Sequence, residues 1–283
     1  MSAHNDAQIA EWNGTLGQRW VAFQPQLDRM IGAFGQAALR AAAAQPGERV
    51  LDIGSGCGSS SLALAQAVGP RGRVLGVDVS QPMLAVARQR AASADAAQLS
   101  FVEADASTAV LPAGQDLLFS RFGLMFFDAP ADALGHLRGA LRAGGRCAFV
   151  CWRAPRDNPW AMAPLMAARQ ALGVTPTPAD PLAPGPFAFA DGERLRGLLA
   201  EAGFEAIEIQ RFDAPIHLGP SAREAAEHGL QIGPVSRLAG EAGPARQATL
   251  VAAIERVLAP HAAADGSVSL PGSTWLVSAR NAL

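Results

Sequence analysis

The 283-residue chain carries 23 basic side chains, all of them arginine, against 25 acidic ones, a net charge of −2 spread along its length. That balance leaves no basic stripe of the kind nucleic-acid binding calls for, and a hydrophobic share of 49% excludes a globally disordered chain. No apolar run approaches the roughly 20 residues that cross a bilayer, and the length suits one large α/β domain or a core with substantial insertions.

Residues 1–45 are expected to be helical. Trp12, Leu16, Trp20 and Phe23 recur at helical spacing, and Leu27, Met30, Ile31 and Phe34 continue the pattern. After the break at Gln45-Pro-Gly-Glu, a short apolar run at 49–53 ends in a glycine-rich turn, followed by a helix over 59–68. The rhythm repeats, with strands expected at 74–78, 100–103, 116–120 and 146–152 and helices at 81–93 and 129–142. Strands alternating with helices predict an α/β fold with a doubly wound, mostly parallel sheet covered on both faces.

Beyond Trp152 the pattern changes. Residues 153–190 hold Pro155, Pro159, Pro164, Pro176, Pro178, Pro181, Pro184 and Pro186, which leave room for one short helix at 160–172. A helix over 191–202 ends at Gly203, and 204–212 alternates as a strand. Residues 214–272 read as mostly helical, with helices near 221–228 and 245–258, and 273–279 closes the chain as an apolar strand. The expected organisation is a helical lid at 1–45 and an α/β domain at 46–283, with cap insertions at about 153–190 and 213–272. Cys57, Cys147 and Cys151 cannot all pair, their spacing is not that of a zinc site, and no signal-peptide pattern opens the chain. A reduced, cytoplasmic location is the expectation.

Four features fall at the ends of successive strands, where ligands bind in open α/β sheets. The first is Asp52-Ile-Gly54-Ser55-Gly56-Cys57-Gly58, whose glycines let a backbone approach a ligand closely and whose following helix offers free N–H groups. The second is Asp78 in Gly-Val-Asp-Val-Ser, placed to accept hydrogen bonds from two ribose hydroxyls. The third is Asp105 in Glu-Ala-Asp-Ala, suited to an adenine amine or, equally, to capping a helix; Ala106 leaves room for the ring, and Val79 or Met83 would pack on its face. The fourth is the segment from Asp116 to Phe127, with Ser120 at its strand end and a loop that either faces the reacting group or simply packs.

Together these positions resemble the class I S-adenosylmethionine-dependent methyltransferases, particularly the small-molecule and quinone-type branch. The match is strongest from Gly47 to Trp152 and weaker through 12–24 and the last strand. The resemblance implies a seven-stranded sheet whose last strand is antiparallel and inserted beside the sixth. It implies S-adenosylmethionine as cofactor, held by Asp52, Gly54, Ser55, Gly56, Asp78, Val79, Met83, Asp105, Ala106 and Ser120, with Trp20 and Gln24 on the lid. It also implies a small-molecule acceptor bound under the two insertions, with no nucleic acid and no membrane insertion, and with homodimerisation as an option. A nicotinamide dinucleotide is the competing cofactor, but glycines at 54, 56 and 58 depart from its G-x-G-x-x-G spacing.

Methyl transfer from a sulfonium needs alignment and the exclusion of water more than a dedicated catalytic group. His217, expected just beyond the sixth strand, is the candidate general base. His228 is a weaker candidate, while His136 and His261 read as structural and loop residues. Arg121 either binds an anionic substrate group or forms a salt bridge with Asp128 or another acid. The residues leave two alternatives to methylation open: another reaction on the same fold, such as a cyclisation or decarboxylation, and a noncatalytic binding protein.

Overall fold

The computed structural model describes residues 3–175, 180 and 182–282. Three helices open the chain, α1 (Ala3–Asn13), α2 (Thr15–Ala22) and α3 (Gln24–Ala42), where a continuous helical pattern was expected; the breaks fall at Gly14 and Phe23. Only α3 has a wide apolar face, burying Leu27, Ile31, Phe34, Ala37, Ala38 and Ala42. It packs on the sheet, and each such large apolar side chain contributes roughly 1.5–3 kcal/mol.

The alternating core follows: β1 (Arg49–Ile53), α4 (Ser59–Val68), β2 (Arg73–Asp78), α5 (Gln81–Ser93), β3 (Leu99–Glu103), β4 (Gln115–Arg121), α6 (Pro130–Ala140) and β5 (Leu141–Trp152). The central strand β1 is buried from Val50 to Ile53, as an unbroken apolar run between two helical layers should be. The expected turn at Ala143-Gly-Gly is present as an excursion at the start of β5, where the register with β4 shifts between Gln115 and Leu117.

The remaining elements are α7 (Pro159–Leu172), α8 (Gly192–Glu201), β6 (Phe204–Gly219), α9 (Ala222–Gln231), α10 (Pro234–Ala242), α11 (Gln247–Leu258) and β7 (Val268–Asn281). Among the described residues the strands form one seven-stranded sheet in the order β3-β2-β1-β4-β5-β7-β6. The first five are parallel, and β7 runs antiparallel between β5 and β6. The strand order reverses between β1 and β4, which puts the ligand crevice at their carboxyl ends.

Both final strands are longer than expected. β6 continues to Gly219 and β7 begins at Val268, and the two pair through Asp213↔Ser273 and His217↔Ser269 as a projecting ribbon. Pro215 disguises this extension, yet it is tolerated because β6 is the outer strand of the sheet. The helical part of the second insertion is correspondingly shorter, and it contains α10, which the sequence reading did not anticipate. Helices α7, α9, α10 and α11 pack on one another, with Ala226, Leu230, Val235, Leu250 and Ile254 buried between them. Of the first insertion, Pro176, Pro178 and Pro181 lie outside the described residues.

Candidate functional site

The turn after β1 has Gly54, Gly56 and Gly58 all at positive φ, +69°, +54° and +79°. Gly54 is also sterically required by a backbone neighbour, whereas Gly56 meets only the movable end of a side chain. A Cβ on Gly54 would lie 2.8 Å from the Cα of Gly123, and one on Gly56 would lie 2.8 Å from the terminal methyl of Met83. The glycine loop is therefore closed on one side by the β4 exit turn and on the other by α5.

Asp52 sits beneath this loop, fully buried, with Oδ2 accepting hydrogen bonds from the Ser60 and Ser61 hydroxyls at 2.8 and 2.5 Å. Burial pushes its carboxyl up to about 6, against the pull of those hydroxyls. Among the described residues, Asp52 Oδ1 and the Ser55 hydroxyl are buried without a hydrogen-bond partner. Cys57, within the loop, is a free buried thiol that burial pushes up to about 11, so it is protonated near neutrality.

Asp78, at the end of β2, grips the loop directly. One carboxylate oxygen accepts the Gly56 N–H at 2.7 Å and the other the Ser80 N–H at 2.9 Å. Burial raises this carboxyl above its ordinary value, only partly offset by those donors. A carboxylate has about four acceptor positions, so each oxygen keeps a lone pair for a further donor.

Asp105 closes a turn and, against the helix-capping expectation, no helix of the described residues lies between it and β4: Oδ1 accepts from the Ser107 N–H and hydroxyl at 2.9 and 2.7 Å. Its Oδ2 accepts from the Asn5 side-chain amide of α1 at 2.8 Å. Burial works to raise its carboxyl, but these hydrogen bonds prevail and hold it below the ordinary value. Ala106 beside it is buried.

The amino-terminal helices lie over the same strand ends. Asn13 donates to the Val79 carbonyl at 2.8 Å and accepts the Gln81 N–H at 2.9 Å, capping α5 from outside. The Ser80 hydroxyl donates to the Trp12 carbonyl at 2.7 Å. The Trp12 ring meets the edges of Trp20 and Phe126 at 5.8 and 5.7 Å, so Trp20 reaches the β4 loop through Trp12. Gln24 hydrogen-bonds Asp28 within α3.

At the exit of β4, the Ser120 hydroxyl donates to the Ile53 carbonyl at 2.7 Å and accepts the Gly123 N–H at 3.2 Å, joining the β1 and β4 loops. Phe122, Leu124 and Met125 are buried, which favours the packing reading for this segment.

Of the two catalytic candidates, Arg121 lies near enough to the glycine loop to pull down the Asp52 carboxyl that burial raises, whereas His217 is remote from it. Arg121 is ion-paired with Asp28 of α3 at 3.2 Å, so the salt-bridge reading describes its geometry, though with Asp28 rather than Asp128. Arg90 and the Ser59 hydroxyl approach the same carboxylate at 3.8 and 2.5 Å. His217 lies within β6, not beyond it; it is exposed on the ribbon opposite Ser269 and electrostatically coupled to Asp265. No hydrogen bond or ion pair of the described residues connects it to the glycine loop. His228 pairs with Gln26 of α3 at 2.9 Å and His136 with the Ala109 carbonyl at 2.8 Å. Sequence reasoning passed over Asn5, Asn13 and Asp28 altogether; each acts on a residue at least 31 positions away, for which no local signal exists.

Comparison with known proteins agrees with this arrangement. A family profile described as a methyltransferase domain matches residues 50–145. The chain is 30% identical over 192 residues to the demethylmenaquinone methyltransferase of Staphylococcus epidermidis, covering 62% of this chain and 76% of that protein. It is 36% identical over 105 residues to the aklanonic acid methyltransferase DauC of Streptomyces sp. strain C5, covering 37% of this chain and 48% of that one. The chain spans less than half the length of this and several other curated relatives it matches. The YcgJ protein of Bacillus subtilis shares the fold, with a TM-score of 0.58 at 18% identity over 89% of this chain and 99% of that one. With its seven-stranded order, its glycine loop and the acids that end β2 and β3, the chain belongs to the class I S-adenosylmethionine-dependent methyltransferase family.

Proposed function

We propose that this protein binds S-adenosylmethionine and transfers its methyl group to oxygen, carbon or nitrogen of a small-molecule acceptor. The observation that carries the reading is the direct bond from the Gly56 N–H to Asp78, which fuses the glycine loop and the acid into one cradle at the strand-order switch.

The residues present fit this cofactor. Asp78 keeps acceptor capacity on both oxygens for two ribose hydroxyls. Asp105 already receives a primary amide from Asn5, the same donor chemistry that an adenine amine offers. Gly54, Ser55 and Gly56 form a wall without large side chains, in which the Ser55 hydroxyl is buried and unpartnered. Val79, Met83 and Ala106 give apolar surface to the base, and the Ser120 backbone faces the methionine end. When bound, the cofactor supplies a positively charged sulfonium whose methyl group leaves in line with an attacking nucleophile.

The chain's own part is alignment and exclusion of water. Trp12 and Trp20 cover the cradle from the lid, and Phe126 and the helical cap enclose the acceptor side. The placement of His217 and the pairing of Arg121 with Asp28 leave neither sequence candidate at the reacting end. This placement suits an acceptor that is already deprotonated, such as an ionised hydroxyl, an enolate or a neutral amine. Among the described residues no helix is long and apolar enough to cross a membrane. Three free, buried cysteines support the proposal of a reducing, cytoplasmic setting, and the near-neutral charge supports a small molecule over nucleic acid. We take self-association into a homodimer as a further option, which light scattering decides.

The test is calorimetric titration with S-adenosylhomocysteine, followed by turnover with methyl-labelled S-adenosylmethionine and panels of phenolic, enolic and amine acceptors. Saturable binding and labelled product are expected. Binding without transfer to any acceptor class would sink the methylation reading and leave a non-methylating enzyme of the same fold.

A further inference from the structure

The β4 exit turn holds a conformation that ordinary chain geometry disfavours. Phe122 has φ +61°, in the left-handed region that bulky L-residues rarely enter. Its N–H still donates to the Val150 carbonyl at 3.0 Å, so the pairing of β4 with β5 runs through the kink. The ring accounts for the persistence of this conformation. It stacks on Trp152 with centroids 4.4 Å apart and planes 16° from parallel, and it meets the edge of Phe34 of α3 at 6.3 Å. Trp152 is itself fixed by Phe34 at 5.3 Å and by Trp160 of α7 at 4.9 Å. A strained backbone persists only where its surroundings over-determine it, and two aromatic neighbours, themselves held in place, do so here.

The kink has a consequence for the glycine loop. It lays Gly123 so close to the β1 exit that a Cβ there would stand 2.7 Å from the Ile53 carbonyl oxygen, 2.9 Å from the Ser120 hydroxyl and 3.0 Å from the Gly54 Cα. The Ser120 hydroxyl then locks the two loops together through Ile53 and Gly123.

We propose that Phe122 is a positioning residue for the cofactor: its stacked ring holds the β4 exit in the left-handed form, and that form presses Gly123 onto Gly54 and sets the width of the cradle. The proposal rests on the cofactor assignment above. Phe122 acts through the backbones of Gly123 and Gly54, not by touching the cofactor.

Three variants test it: Phe122→Ala, Phe122→Gly and Gly123→Ala, each titrated with S-adenosylhomocysteine and followed by thermal melting and near-ultraviolet circular dichroism. Both Phe122 variants lose the ring, and their melting temperatures fall together. Only glycine enters the left-handed region freely. Phe122→Ala therefore weakens binding about tenfold or more, while Phe122→Gly stays within about threefold of wild type. Gly123 has φ −94°, which alanine adopts readily, so in Gly123→Ala the added methyl group is the only change. That variant keeps the aromatic signal of the stack and loses binding about tenfold or more.

Equal weakening in both Phe122 variants would overturn the proposal, because the ring itself would then be the contact. Native-like binding by Phe122→Ala or by Gly123→Ala overturns it too. Should Phe122→Ala not fold, Phe122→Gly and Gly123→Ala still decide: the first must bind and the second must not. A wild-type protein that fails to bind S-adenosylhomocysteine would instead remove the cofactor assignment, and this proposal with it.

Discussion

Asp52 and Asp78 stand on adjacent strands and respond differently to substitution. Asp52 is fully buried with one oxygen unpartnered, and its carboxyl moves from 3.8 to about 6, which corresponds to roughly 3 kcal/mol between its protonated and charged forms. The folded protein thus favours the protonated acid. The stability this group contributes is present below its ordinary value and is lost as pH rises through about 6. Asp52→Asn removes that titration. Its stability relative to wild type should rise between pH 4 and 7 and level off above, as measured by urea unfolding at each pH. A difference that stays flat across this range would show that Asp52 remains charged throughout. Asp78 supports ligand more than fold, since two backbone N–H groups and the proposed ribose converge on it. Asp78→Ala should weaken S-adenosylhomocysteine binding by about 1.5–3 kcal/mol, the loss expected for hydrogen bonds to a charged acceptor. Calorimetry showing unchanged affinity would contradict its role.

The elements around the site are joined by a second device, the Arg146 guanidinium. From β5 it donates to both carboxylate oxygens of Glu48 at 2.6 and 2.7 Å, and to the Ala42 and Ala43 carbonyls at 2.8 and 3.0 Å. One side chain thereby caps the carboxyl end of α3 and ties it to the segment entering β1. Burial works to raise the Glu48 carboxyl, but Arg146 and the Gln45 N–H prevail and hold it below 4.5. Its stabilisation is therefore present above that value and is lost as pH falls. Arg146→Met should cost about 3 kcal/mol, since it leaves a largely enclosed carboxylate with only the Gln45 N–H, and should reduce this acid-side loss. A melting temperature within a degree or two of wild type would show the pair to be ornamental.

Legibility in the sequence divides along the same line. The span 81–93 of α5 was readable to the residue, and so were the limits of β1 and α4, because each carries a local signal: Pro82 in the first turn, a run of apolar residues, or glycines at a turn. The placement of Asp52, Asp78 and Asp105 at strand ends was readable because strand-end position in an α/β sheet follows from chain order alone. The rest depended on partners distant in sequence. Nothing near Phe122 announces a left-handed phenylalanine, because the rings that hold it come from α3 and β5. Nothing near His217 shows that β6 continues past Pro215, because the strand is held by β7. Arg121 looked available to a substrate because its partner Asp28 lies 93 residues away.

At the scale of the molecule, the lid and the core differ in how firmly they are held. Among its described residues α1 buries none, whereas α3 buries seven. What fastens α1 is a few polar contacts and one half-buried ring: Asn5 to Asp105, Asn13 to Val79 and Gln81, Trp12 to Ser80 through its carbonyl and to Phe126 through its ring, and an exposed Glu11–Arg237 pair that reaches α10 at 3.4 Å. Neutral hydrogen bonds contribute about 0.5–1.5 kcal/mol each, and an exposed ion pair at most about 1 kcal/mol. A segment held by such a sum opens long before the sheet does, as one of the low-energy partial unfoldings of a native protein. Every one of these contacts except the last ends on the strand exits that form the cradle, so opening of α1 uncovers the cofactor site without disturbing the core. Deleting residues 1–13 should therefore lower stability by roughly 2–4 kcal/mol, the sum of these contacts less the entropy of ordering the segment, and leave unfolding cooperative. Release of S-adenosylhomocysteine, followed by stopped-flow fluorescence, should become at least tenfold faster, and hydrogen exchange should rise at Gln81, whose N–H is held by Asn13. Loss of cooperative unfolding would place α1 in the core. An unchanged release rate would mean that the helix covers the cradle without gating it.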